Sequence, residues 1–479
     1  MKSRTCRWCR LYLWLGIIGA VCAQNAIAGP ATPNRPNVVF VLADQWRAEA
    51  FGYAGNTDVR TPHIDRFERE AIHFINAVAG LPVCCPSRAS LLTGQRPLTH
   101  GVFLNDVPLS TNAVTLAEVL RKAGYDTAYI GKWHLDGDGR SRFIPRERRQ
   151  GFDYWKAMEC THDYNASFYY ADGPEKLRWE GYDAIAQTRD AQRYLRDHAG
   201  RSMPFFLFLA WGPPHDPYQT APQEYRAMYV ADKLQLRPNV PQAAESWARK
   251  DLAGYYAHCT ALDACMGDLR ATLRETGLER NTLLVFTSDH GALLGAHGQR
   301  KKQQPYDESI RVPLLLRWPD GLGTGPRKFD ALVNSEDLMP TILGLCGLTI
   351  PKPVEGLDFS AYIRGGPNPS DGAALISCVG PFGEWTRKIG GREYRGIRTL
   401  RYTYVRDLNG PWLLFDNQED PWQLNNLVGH ADRIELQAEL EALLRRKLVE
   451  SHDEFRHADY YIRQWNYHVD ASGTVPYSP

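Results

Sequence analysis

Val38-Val39-Phe40-Val41-Leu42-Ala43-Asp44-Gln45 joins a continuous apolar run to a polar pair, and the fold can be read outward from it. An unbroken β-branched and aromatic run of this length suits a strand buried on both faces, as in a parallel sheet covered by helices. Comparable runs recur at Thr127 to Ile130, Phe205 to Ala210, Leu283 to Phe286 and Val312 to Leu316. Helix-like periodicity fills the spaces between them, at Thr115 to Ala123, Ala184 to His198 and Tyr255 to Glu275. Alternating β and α signals imply an α/β fold with a large, mostly parallel central sheet flanked by helices. From about residue 375 the texture changes. Arg392 to Arg406 and Trp412 to Phe415 alternate like antiparallel strands around a turn at Asp407-Leu408-Asn409-Gly410, and a helix with Leu436, Leu440, Leu443 and Leu444 follows. A smaller C-terminal subdomain of antiparallel sheet plus helix is expected over residues 371–479, after the Pro-Gly-rich stretch Gly365 to Gly372, with the larger unit over 29–370. The His-, Tyr- and Trp-rich tail from Ser451 has no element assigned to it.

Polar residues fall at the ends of the apolar runs. Asp44 and Gln45 follow the first run, Lys132 and His134 the second, His215 the third, and Asp289 and His290 the fourth. In a parallel sheet these positions converge on the carboxyl edge, where open α/β folds bind ligands. A lone Asp after a strand is more often a helix cap; the joint placement points to one site. Carboxylate, amide and imidazole donors without a thiolate pair suit a divalent cation, calcium first, with manganese or magnesium as alternatives. Such a cation acts as a Lewis acid on an anionic ester.

The compartment is read at the start of the chain. Lys2, Arg4, Arg7 and Arg10 precede the apolar stretch Leu11 to Ala23, and Ala26-Ile27-Ala28 offers a small-x-small cleavage site. Residues 1–28 are therefore expected to be a signal peptide, with export to a periplasmic or extracellular space, or to a lysosome-like compartment in a eukaryote. No later segment approaches the length of a transmembrane anchor. Removing the leader leaves 52 basic against 55 acidic residues, a balance that gives no reason to expect a nucleic-acid partner. Of ten cysteines, Cys84, Cys85, Cys160, Cys259, Cys265, Cys346 and Cys378 remain. This odd number implies at least one unpaired thiol in an exported protein.

Cys84-Cys85-Pro86-Ser87-Arg88-Ala89-Ser90-Leu91-Leu92-Thr93-Gly94 reads as a short helix beginning about Pro86 and closed by Gly94. Its N-terminus offers donors and positive potential beside Cys84, and Arg88 is placed to reach back towards it. A soft thiolate among hard oxygen and nitrogen ligands is a chemical mismatch that the residues alone do not explain.

The run C-x-P-S-R-x-x-x-x-T-G at Cys84 to Gly94 resembles the signature of the type I, formylglycine-dependent sulfatases of the alkaline-phosphatase-like superfamily. A second family pattern is met by Gly124-Tyr125 through Gly131-Lys132-Trp133-His134. Asn37 to Gln45, Pro214-His215, Ser288-Asp289-His290-Gly291, Lys302 before Tyr306-Asp307, and Asp420 to Leu427 follow in family order, so the resemblance spans roughly residues 36 to 430. It implies an alkaline-phosphatase/sulfatase-like fold and a sulfuric ester hydrolase acting on a sulfated carbohydrate or an aryl or alkyl sulfate. It also implies that a maturation enzyme converts Cys84 to formylglycine. Proline at +2 and arginine at +4 select Cys84 over Cys85. By the same resemblance Asp44, Gln45, Cys84, Asp289 and His290 would hold the metal, and Arg88 would position the nucleophile. Lys132 and Lys302 would grip sulfate, with Lys301 as the alternative to Lys302. His134 would take a proton as sulfate leaves, and His215 would protonate the departing alcohol.

Many sulfatases carry two aspartates where this chain has Asp44-Gln45, and Asp-Asn where it has Asp289-His290. Both departures also resemble the related phosphonate monoester hydrolases and phosphodiesterases, which makes hydrolysis of a phosphonate or phosphate diester the alternative activity. A non-catalytic sulfated-glycan-binding relative would be expected to lack the cysteine, Arg88 or a metal carboxylate, and all are present. The aromatic insert from Cys160 to Tyr182 supplies His162, Asp163 and Tyr164 as candidate substrate-binding residues.

Overall fold

A computed structural model describes residues 35–477. Its main sheet takes strands β1 (Asn37–Asp44), β2 (Ile72–Val78), β3 (Asp126–Lys132) and β4 (Tyr154–Met158) from the first part of the chain. A separate two-stranded ribbon, β5 (Phe168–Tyr169) with β6 (Leu177–Arg178), follows. The main sheet resumes with β7 (Phe205–Pro214), β8 (Thr282–Ser288), β9 (Arg311–Val312), β10 (Leu314–Arg317) and β11 (Arg327–Asn334). The strand order is β11-β2-β10-β8-β1-β7-β3-β4, with β9 paired to β2.

β1 lies at the centre, parallel to β7 on one side and β8 on the other. All eight of its residues are buried. Val38, Phe40 and Leu42 enter one apolar cluster while Val39, Val41 and Ala43 enter the other, so the unbroken apolar run serves two cores at once. Each buried Val, Phe or Leu among them stabilises the fold by roughly 1.5–3 kcal/mol. The Val312 to Leu316 run departs from the expected pattern: Pro313 divides it into β9 and β10, and β10 runs antiparallel to both β8 and β2. An apolar run carries no mark of direction, and proline has no N–H to continue a ladder.

Two helices, Asp183–His198 and Glu245–Glu275, pack together on one face of the sheet. The second begins ten residues before the expected Tyr255, because its first turns are polar and carry little apolar periodicity. The expected segment Arg392 to Arg406 is two strands. The smaller antiparallel sheet is β12 (Ala373–Cys378), β13 (Tyr394–Thr399), β14 (Tyr402–Asp407) and β15 (Gly410–Asp416), in that order. The helix Ile434–Glu450 lays Leu440, Leu444 and Leu448 on Ile397, Tyr404 and Leu414 of this sheet. Arg398 binds Asp307 through two bonds of 3.0 and 3.1 Å, tying the small sheet to the main one.

The tail finds its place against the main core. Trp465 lies so close to Gly101 (φ +81°) that any Cβ there would meet the indole at 2.3 Å. The leader expected at residues 1–28 lies outside the described residues. Among the described residues no helix is long and apolar enough to cross a membrane.

Asp183 opens its helix at 1% exposure, and burial pushes its carboxyl up to about 8, offset only in part by bonds from Ser167 and the Ala184 N–H. An unfolded aspartate titrates near about 4. The folded state therefore keeps a proton that the unfolded chain gives up. This stabilisation is full below about pH 4 and is lost as pH rises through about 8. Asp183→Asn mimics the protonated form. The variant is expected to gain on wild type, by on the order of a few kcal/mol, between about pH 5 and 9 in denaturant melts. A difference independent of pH contradicts this.

Candidate active site

The carboxyl ends of β1, β3, β7 and β8 deliver the polar residues to one place. Gly131, at φ +111° next to the end of β3, could carry no side chain, since a Cβ there would lie 2.0 Å from the Ala210 carbonyl of β7. This close approach carries Lys132 in beside β1, where its Nζ donates to Asp44 Oδ2 at 2.7 Å. Gln45 and His134 take positive φ values of +69° and +58°, backbone cost concentrated at a site.

The helix Cys84–Thr93 begins at Cys84 itself, two residues before the expected start, and all ten of its residues are buried. The Cys85 N–H is taken by Asn105 Oδ1 at 3.1 Å, which lets the helix start ahead of proline. Arg88 does not reach back to Cys84. Its guanidinium bridges the carboxylates instead, donating from Nε to Asp289 at 3.0 Å, from Nη2 to Asp44 at 3.0 Å and from Nη1 to the Lys132 carbonyl at 2.8 Å. Lys302 is the lysine that reaches in: Nζ lies 3.2 Å from Cys84 Sγ and 3.1 Å from Gln45 Oε1. Lys301 pairs with Asp216 at 3.3 Å.

One donor atom each from Asp44, Cys84, Asp289 and His290 falls within 4.8 Å of the others, all buried. His290 Nδ1–H donates to the Gly291 carbonyl at 2.9 Å, leaving Nε2 bare and 3.2 Å from Cys84 Sγ, the tautomer a metal ligand needs. Burial and the neighbouring Asp44 charge push the Asp289 carboxyl up to about 6. Asp44 is held well below its usual range despite burial, because Lys132 and Arg88 face it. Two buried carboxylates and a bare imidazole nitrogen, one carboxylate resisting ionisation for want of positive charge, fit a divalent cation. Gln45 adjoins this cluster: its N–H donates to Asp289 at 3.0 Å, its amide oxygen accepts from Lys302 at 3.1 Å, and its amide nitrogen donates to Tyr218 at 3.3 Å.

The Cys84 thiol is lowered to about 7: burial and Asp44 oppose ionisation, while Lys132, Lys302 and the nearby His134 favour it. His215 Nδ1–H donates to the Asp216 carbonyl at 2.8 Å. Burial and Lys302 depress its basicity strongly, so it is a neutral imidazole at neutral pH.

Of the insert residues, His162 is exposed and stands over His215, ring centroids 5.1 Å apart. Desolvation and the charge of Lys132 push it down to about 4. Asp163 is exposed and accepts from the Ala166 N–H at 3.2 Å, shaping its own turn. Tyr164 is 1% exposed, its hydroxyl 3.3 Å from the Gly212 and Asp216 carbonyls. It supports the loop that carries His215, and its burial reflects the apolar area an aromatic ring gains inside the protein.

Other residues stand at the site without a sequence signal. Asp106 lies 3.4 Å from His134 Nε2. Glu159 accepts from the N–H groups of Leu135, Asp136 and Gly137, holding the turn after His134. Glu384 stands 3.8 Å from Lys302 Nζ. None follows a strand of the expected set or belongs to a motif.

The profile of the family described as Sulfatase matches residues 36–348, a span that contains every one of these cluster residues except Glu384. The chain belongs to the sulfatase family. Like its relatives it is a hydrolase of sulfuric esters. A second profile, the C-terminal region of N-sulphoglucosamine sulphohydrolase, matches residues 295–450 and so takes in the small sheet and its helix. An ulvan-active sulfatase of Formosa agariphila is 46% identical, over 91% of this chain and 85% of that protein. An endo-4-O-sulfatase of Bacteroides thetaiotaomicron is 30% identical, over 82% of this sulfatase and 88% of its own length. In the crystal structure of YidJ from Bacteroides fragilis, a protein assigned to the sulfatases, the likeness covers 91% of this chain and 99% of that one, with TM-score 0.81 and 31% identity.

Proposed function

We propose that this sulfatase removes sulfate from a sulfated carbohydrate, with Cys84 converted to formylglycine by a maturation enzyme and one divalent cation, calcium first, held by Asp44, Gln45, Asp289 and His290 together with residue 84. The observation that carries the reading is one buried cluster in which Lys302 touches Cys84, Arg88 and Lys132 hold Asp44, and Asp44, Asp289 and His290 gather around residue 84. Three cations outnumber two carboxylates there, before any metal is counted, and that excess favours an anionic ester. The carbohydrate class is supported by the relatives described as ulvan-active and as an endo-4-O-sulfatase.

A bound cation would act as a Lewis acid and raise the acidity of an oxygen nucleophile at position 84. Lys132 and Lys302 hold the sulfate oxygens on either side of that position, where fixed charge stabilises the transition state. Arg88 keeps Asp44 and Asp289 oriented and offsets their charge. His215 faces the departing alcohol; burial first and the two lysines second keep it neutral, and an anion bound between the lysines relieves their part, so it can carry the leaving-group proton. His134 receives the proton released as sulfate departs. His162, beside His215 at the opening, is placed to meet the sugar. Export through the N-terminal leader completes the proposal, since sulfated polysaccharides lie outside the cell.

Desulfation of defined sulfated oligosaccharides, those from ulvan first, with a phosphate diester as control, tests this reading. Sulfate release from an oligosaccharide is expected to exceed diester hydrolysis by at least about 100-fold in kcat/KM. A preference for the diester contradicts it.

A further inference from the structure

His134 is gripped from one side. Its Nε2 lies 3.4 Å from Asp106 Oδ1, while the buried Nδ1 has no hydrogen-bond partner from a side chain or backbone among the described residues. The ring stands near enough to position 84 to favour the ionised form of the Cys84 thiol. Asp106 takes a left-handed backbone angle, φ +62°, and Arg140 grips it at two points, Nε and Nη2 each 2.8 Å from a carboxylate oxygen. The Arg140 guanidinium carbon in turn lies 3.5 Å from the centroid of the Tyr477 ring. Tyr477 belongs to the tail that the rest of the chemistry leaves without a role. That tail is fixed by a bond from Gly383 N–H to Thr474 Oγ1 at 3.1 Å and from the Tyr467 hydroxyl to the Gly101 carbonyl at 2.9 Å.

We propose that Asp106 is the positioning residue for His134, and that Arg140, clamped between Asp106 and the Tyr477 ring, extends this hold to the C-terminal tail. A carboxylate accepting Nε2–H fixes the imidazole tautomer that leaves Nδ1 bare. Arg140 serves the arrangement by keeping Asp106 ionised, well below the usual carboxylate range despite its burial. With Nδ1 bare, His134 can take the proton of a hydroxyl on residue 84. The O–H electron pair becomes the second bond of the carbonyl, the C–O bond to sulfate breaks, and its electron pair leaves with the sulfate. The inference rests on the proposed function and adds to it a carboxylate outside the metal cluster and a role for the tail.

The alternative is that Asp106 does no more than neutralise Arg140. The two separate with 4-nitrophenyl sulfate. Its alcohol leaves readily, so release of sulfate from residue 84 limits kcat. Asp106→Asn is expected to lower kcat and KM together by about 10- to 100-fold, leaving kcat/KM within about threefold. Intact-protein mass spectrometry should show sulfated enzyme accumulating during turnover, with formylglycine content and melting temperature near wild type. In the His134→Ala background, Asp106→Asn should change kcat by less than about twofold. A readout free of turnover comes from ¹⁵N spectra of the protein still carrying Cys84: wild type should show His134 as one tautomer, protonated on Nε2, and Asp106→Asn a mixture. Should Asp106→Asn fail to fold, Arg140→Lys is read in the same way, with an expected loss of about 3- to 10-fold in kcat. Tyr477→Ala should show the same paired fall in kcat and KM at about 2- to 5-fold.

A fall in kcat/KM equal to that in kcat, an undiminished Asp106→Asn effect without His134, or an unchanged tautomer overturns the role of Asp106. No effect of Tyr477→Ala overturns the role of the tail. If wild type carrying formylglycine turns over no sulfate ester, the proposed function itself fails. If His134→Ala is crippled while Asp106→Asn behaves as wild type, this inference alone fails.

Discussion

Cys84→Ala is expected to lower aryl-sulfate turnover by at least about 10⁴-fold while the protein remains folded. The side chain at position 84 sits between Lys302 at 3.2 Å, His290 at 3.2 Å and Asp44 at 3.6 Å, so no other group occupies the point on which these residues converge. On the proposed mechanism alanine removes the atom that would attack sulfur and leaves the lysines free to bind the ester, so binding should survive the loss of turnover. A buried cysteine-to-alanine change costs about 1 kcal/mol or less of packing in most settings, too little to unfold a chain of this size. Isothermal titration with a sulfated oligosaccharide, beside turnover and melting curves, separates loss of chemistry from loss of structure. Turnover within tenfold of wild type would sink the assignment of position 84 as nucleophile.

The second large effect is expected at Asp44. Its carboxylate accepts from Lys132 at 2.7 Å and from Arg88 at 3.0 Å, and it is wholly buried. Asp44→Asn keeps the shape but removes the charge that both cations face and that a metal would need. Breaking a buried ion pair from one side costs about 3–5 kcal/mol, because the partner charges stay behind in a dry site. Bound metal per chain, measured by plasma mass spectrometry, should fall from near one towards zero. Turnover should fall by at least about 10³-fold, and the melting temperature should drop. An Asp44→Asn protein that retains metal and activity would remove Asp44 from the ligand set.

Much of this site was legible as strand ends. Asp44, Lys132, His215, Asp289 and His290 follow apolar runs that alternate with helices, a pattern that favours a parallel sheet, and a parallel sheet brings its carboxyl ends together. What escaped the sequence has physical causes. The reversal of β10 was silent because an apolar run reads alike in both directions. The polar first turns of the helix Glu245–Glu275 were silent because periodicity needs a buried stripe. Arg88 was expected beside the nucleophile from helical spacing, yet two carboxylates at 3.0 Å outweigh a neighbouring thiol for a guanidinium. The orientation of Gln45 was silent as well: its φ of +69° turns its amide to Lys302 while its N–H meets Asp289. The burial of Tyr164 was silent because its insert carries no apolar periodicity. Asp106 and Arg140 meet His134 only through the fold, from loops without periodicity, and nothing in their spacing could have paired them.

The central claim is that position 84 carries an oxygen nucleophile made from cysteine, among ligands that a thiol fits poorly. Peptide mass spectrometry of fully active protein from its native host tests it most directly. Formylglycine at position 84, with Cys85 unmodified, is the expected result. An unmodified Cys84 in that active protein would contradict the account.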